Sequence, residues 1–94
     1  MILNLYAVYD KVSGVYDGPI PGKGDGQLMR GFGDQCANPD SPMHKHPEDF
    51  VLMRIGTWND ATGEIVGYEA GPQKLCSATD YVSDNVVSME VGNA

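Results

Sequence analysis

The sequence predicts an α+β domain in which one helix packs on a small antiparallel sheet, in the order strand, helix, hairpin, short strand. Three observations carry that prediction. The opening "ILNLYAVYD" is rich in β-branched and aromatic residues, Leu28, Phe32 and Cys36 recur at helical spacing, and "FVLMRIGTW" and "EIVGYEA" flank a short loop containing Asp and Gly. At 94 residues the chain fits a single domain with one modest core. That domain is expected over residues 1–84, with residues 85–94 an acidic tail that frays.

In chain order, residues 3–9 read as a strand ending in the turn-like "DKVSG". "VYDGPIPGKGDG" is dense in Pro and Gly and reads as an extended surface loop, because X–Pro steps disfavour helix. A helix follows, with Asp25 as its expected cap and Asn38-Pro39 as its end. Gly31 and Gly33 each weaken it by about 1 kcal/mol relative to alanine, so it needs a sheet beneath its apolar stripe. Pro47, Glu48 and Asp49 suit the first turn of a short helical piece.

Alternation then divides "FVLMRIGTW" into two faces: Val51, Met53, Ile55 and Thr57 on one, Phe50, Leu52, Arg54, Gly56 and Trp58 on the other. With Asn59 opposite Glu64, the hairpin register pairs Trp58 with Ile65, Thr57 with Val66, Ile55 with Tyr68 and Arg54 with Glu69. This assigns Met53, Ile55, Thr57, Val66, Tyr68 and Ala70 to the core beneath the helix and turns Arg54 and Trp58 outward. "PQKLCSA" adds a short strand.

Composition narrows the function. Net charge is −7, and residues 55–94 hold one base, Lys74, against six acids. A phosphate backbone is repelled there, so a nucleic-acid surface has to draw on Lys11, Lys23, Arg30, Lys45 and Arg54, with Tyr16 and Trp58 as stacking partners. The competing reading of Arg54 is a cross-strand ion pair with Glu69, ordinary sheet stabilisation of a few tenths to about 1 kcal/mol. Cys36 and Cys76 lie forty positions apart without a CxxC pattern and read as free, apolar-like thiols. His44 and His46, with Cys36 or Asp49, lack metal-site spacing and read as an exposed loop, so no metal or cofactor is expected. "GKGDG" lacks the lysine–serine/threonine ending of a phosphate loop, and no catalytic triad can be assembled, so an enzyme is not expected. Neither a membrane span nor a signal peptide is expected, since no apolar run is long enough and the start has no basic region.

"YAVYDKVSGVY", the "GDG" loop, "RGFGDQC" and above all "HPEDFVLMRIGTWNDATGEI" together span residues 6–66. Tyr9-Asp10, Tyr16, the Arg30 and Phe32 spacing, His46-Pro47-Glu48-Asp49-Phe50, Ile55-Gly56 and the Asp60 to Gly63 turn are the specific features. In these the chain resembles the small non-structural proteins of the gokushoviruses, single-stranded DNA phages of the Microviridae. The resemblance implies a protein made during infection in the host bacterial cytoplasm, outside the mature capsid, described as DNA-binding and linked to genome replication or packaging. It brings no catalytic or binding residues with it. Two functions follow as expectations. One is an accessory protein that engages single-stranded DNA or the replication and packaging machinery. The other is an adaptor for a phage or host replication protein, without DNA contact. A homodimer through paired sheet edges is compatible with both.

Overall fold

The computed structural model describes residues 1–82; the expected tail at 85–94 lies outside them. Five strands form one antiparallel sheet: β1 (Ile2–Asp10), β2 (Val15–Gly22), β3 (Phe50–Asn59), β4 (Ile65–Gly67) and β5 (Gln73–Ser77). The order is β2-β1-β3-β4, with β5 also pairing to β3. Helix α1 (Asp25–Ala37) and the four-residue α2 (Pro42–Lys45) precede β3, and Pro47–Asp49 forms a single 3₁₀ turn. The architecture is the expected α+β: a helix on one face of an antiparallel sheet.

One element departs from expectation. Residues 15–22, read as a loop, are strand β2, paired with β1 from Asn4↔Gly22 to Asp10↔Val15. Prolines fit here because β2 is an edge strand, with β1 its only partner among the described residues. Gly18 and Pro19 stand opposite the single residue Ala7, making a bulge. Gly18 has φ +144, a conformation closed to other residues.

The second departure is which sheet face α1 covers. Tyr6, Leu52 and Cys76 form the core with Phe32 and Cys36 of α1, and Phe50 packs against them. The helix therefore lies over the Phe50–Leu52–Arg54 side of β3, the reverse of the assignment above. The hairpin register itself holds: Trp58↔Ile65, Thr57↔Val66 and Gly56↔Gly67, with the Tyr68 amide donating to the Ile55 carbonyl. What breaks the alternation is a bulge. Against β1, Arg54 faces Tyr6 and Gly56 faces Leu5, leaving Ile55 as an extra residue. Before the bulge the even-numbered residues face the helix; after it they face away. Arg54 thus joins Tyr68, Thr57 and Val66 on the helix side, while Met53 and Trp58 fall on the opposite side with Leu3, Leu5, Ala7, Tyr9 and Val51. Gly56 is where β4 closes in, since a Cβ there would run into the Val66 carbonyl.

Candidate functional site

Arg54 donates through Nη1 to Asp25 Oδ2 at 2.8 Å and through Nη2 to Gln73 Oε1 at 2.9 Å. Asp25 Oδ1 accepts from the Tyr6 hydroxyl at 2.8 Å, and that hydroxyl accepts from Asn4 Nδ2 at 3.2 Å. The guanidinium carbon sits 5.7 Å from the centre of the Tyr68 ring. Both terminal nitrogens of Arg54 are thus engaged inside the fold, while its buried Nε has no hydrogen-bond partner among the described residues; the side chain is 29% exposed, and its ion-pair partner is Asp25, not Glu69. Nor does Asp25 cap α1: the N-cap is Gly24, without a side-chain cap bond, and the Asp25 carboxylate points to the sheet. A charge-assisted contact ties the first turn of the helix to the middle of β3.

The other expected contacts do not gather into one patch. Lys11 lies in the β1–β2 turn, where its amide donates to the Asp49 carbonyl at 2.8 Å, and Lys45 ends α2. Lys23 follows the far end of β2, and Arg30 is exposed on α1. Strand β2 separates the first group from Lys23 by about 25 Å at the usual rise per residue. His44 donates from Nδ1 to the Cys36 carbonyl at 2.8 Å, a contact that ties α2 to the end of α1. His46, Glu48 and Asp49 bring their side-chain ligand atoms within 4.8 Å of one another. Cys36 and Cys76 are free and buried, and burial pushes the Cys36 thiol up to about 11.

The two aromatic candidates, by contrast, share a surface. Tyr16 pairs with Tyr9, their ring centres 4.6 Å apart at 44°. Tyr9 lies on the same sheet face as Met53 and Trp58, the face opposite α1. Leu5, Ala7 and Val51 are buried in this surface, while Tyr9, Met53 and Trp58 are half-buried and Tyr16 is exposed. Lys74 joins it from β5, opposite Met53. From Tyr9 and Tyr16 to Trp58 the surface runs about 20 Å along β3. Asp10 and Asp17 belong to the other side, since they pair with Phe50 and Val8. The strands therefore place their acids toward the helix and leave an aromatic face with a lysine. Tyr9, Met53 and Lys74 were not among the expected contacts. The signal for Tyr9 was present: once β2 is a strand, "DKVSG" is a hairpin turn and sets Tyr9 against Tyr16.

The fold is an antiparallel sheet with a helix on one face and aromatic side chains, Tyr9, Tyr16 and Trp58, on the other. The family described as Phage ORF5 protein matches residues 3–81. The chain belongs to that family, and it is a phage protein. No curated protein and no solved structure matches it.

Proposed function

We propose that the protein is a non-catalytic accessory protein of a single-stranded DNA phage of the Microviridae, active in the host bacterial cytoplasm, where it engages single-stranded DNA during replication or packaging. The observation that carries this reading is the face opposite α1, where Tyr9–Tyr16 and Trp58 stand about 20 Å apart with Lys74 between them. Unpaired bases expose π-faces to any such platform, and stacking contributes about 1–3 kcal/mol per base. Sheets that carry a helix behind and aromatics in front suit single strands for this reason.

Fluorescence anisotropy of a labelled oligo(dT) over a salt series tests it. Lys74 is the base on the aromatic face, so log K should fall with log salt at a slope of about −0.7, the value for one phosphate on a single strand. Binding that survives moderate salt and is lost in Trp58→Ala supports the platform. Absence of binding at low salt removes it.

A second reading is the adaptor that binds a phage or host replication protein without DNA. The net charge of −7 favours it, and anisotropy that stays flat at low salt would support it.

A further inference from the structure

On the helix side of the sheet a cleft of about 420 Å³ opens between β2 and α1. Val8, Ile20, Leu28, Phe32 and Met43 make its apolar lining. Its polar lining comes from Asp17 of β2 and from Gln27 and Gln35 of α1. Gln27 accepts from the Lys23 amide at 3.1 Å. The Asp17 carboxylate has no hydrogen bond or ion pair among the described residues. It is paired across the ladder with Val8, and this holds it toward the cleft.

Such a space is at the small end of ligand sites and suits one or two side chains. Its chemistry specifies what enters: an apolar group that brings a cation. The chain's own residues 83–94 contain two acids and no base, and a second copy carries −7, so neither complements Asp17. Among the described residues no strand pairs with the outer edge of β2, and that edge narrows the mode of binding. Pro21 is paired with Leu5 and has no N–H, so the outer edge lacks donors where a ladder would need them. Docking is therefore through side chains and not by strand addition.

We propose that this cleft docks a basic segment of a partner protein, with an aromatic or branched apolar side chain in the cleft and a neighbouring lysine or arginine against Asp17. The inference does not depend on the DNA reading, since the cleft and the aromatic platform lie on opposite sides of the sheet.

The test uses the full chain, isotope-labelled, titrated with the capped tripeptides Lys-Phe-Lys, Gln-Phe-Gln and Glu-Phe-Glu while amide shifts are followed. Lys-Phe-Lys is expected to move the amides of Asp17, Gly18, Gly31 and Gln35 and to bind at least fivefold more tightly than Gln-Phe-Gln, with Glu-Phe-Glu weakest. Asp17→Asn should bring the first two peptides level. Gly31→Leu should abolish all three responses by filling the cleft from an exposed helical position; a Cβ there meets nothing within 4 Å, so folding is retained. Equal affinities for the three peptides, shifts confined to other surfaces, or an Asp17→Asn protein that keeps the preference would overturn the proposal. So would cleft amides that move on dilution, which would mark a second copy as the occupant. Movement on Val86→Ser with Val87→Ser would assign the cleft to the chain's own terminus.

Discussion

A guanidinium that donates to a carboxylate at 2.8 Å and to an amide oxygen at 2.9 Å has little left to offer a phosphate. Arg54 reads in the sequence as a free cation or as the partner of Glu69, because only local strand pairing is visible there. Its actual partner lies 29 positions away on a helix. Asp25 holds Arg54 and Tyr6 together, so Asp25→Ala leaves both without their acceptor. The pair is about one-third exposed, and the expected loss is at the low end of the range for such contacts, about 1 to 2 kcal/mol. It would be read as a lower urea midpoint at unchanged m-value. Arg54→Met should weaken oligo(dT) binding no further than the loss of folded protein accounts for. Tyr16→Ala should lower that affinity about fivefold or more, the equivalent of one lost stacking contact.

Titration at single residues gives a second prediction. Burial raises the Cys36 thiol from 9.0 to about 11 and the Tyr81 hydroxyl from 10.0 to about 12, and it pushes Tyr6 and Cys76 in the same direction. Each group is neutral when protonated, and the folded state keeps the proton to higher pH than the unfolded chain does. Their contribution is complete below about pH 9 and is lost as pH climbs toward about 11. Urea midpoints measured from pH 7 to 10.5 should fall above pH 9, and Cys36→Ala should make that fall shallower. A midpoint constant through pH 10 would contradict the assignment.

At the scale of elements, two glycines in α1 carry opposite meanings. A Cβ at Gly31 meets nothing within 4 Å, whereas at Gly33 it meets the Tyr81 ring at 2.9 Å. Gly31→Ala should therefore stabilise the protein by about 0.5 to 1 kcal/mol, the helix-propensity difference alone. Gly33→Ala should destabilise it, because the ring that packs edge-on to Phe32 must shift. Thermal melts of the two variants decide the matter: melting temperatures moving in opposite directions are expected. Gly56→Ala should cost more than either, since the obstacle is backbone and not a side chain.

Elements were also where the sequence was legible, and where it failed. The helix, the 3₁₀ turn and the Trp58↔Ile65 register follow from spacing and turn chemistry, which are local. Strand β2 did not, because prolines and glycines mark a loop unless the strand is known to be an edge. The faces of β3 did not, because one extra residue at Ile55 inverts the parity on which the assignment rests. That inversion exchanged Met53 for Arg54 beneath the helix, while Trp58 lies on the far side as the spacing predicts. A bulge is set by the partner strand, and counting along one strand cannot reveal it.

Across the whole molecule, the acids of the strands and the aromatic side chains left outside the core lie on opposite sides of one sheet. Asp10, Asp17 and Asp25 lie toward the helix, and Tyr9, Tyr16, Trp58 and Lys74 lie on the opposite face. A net charge of −7 is therefore compatible with a nucleic-acid contact, provided the strand meets only that face. The expected dimer through paired edges has little to use at β2, where proline removes a donor from the outer rim. Trp58 is the protein's single tryptophan, so its emission reports on the proposed contact surface with no other indole to confuse it. Titration with oligo(dT) at low salt should quench that emission, with a midpoint that weakens at least fivefold in Tyr16→Ala and is unchanged in Asp17→Asn. Emission that stays constant while the labelled oligonucleotide is shown to bind would place the contact elsewhere and contradict the account.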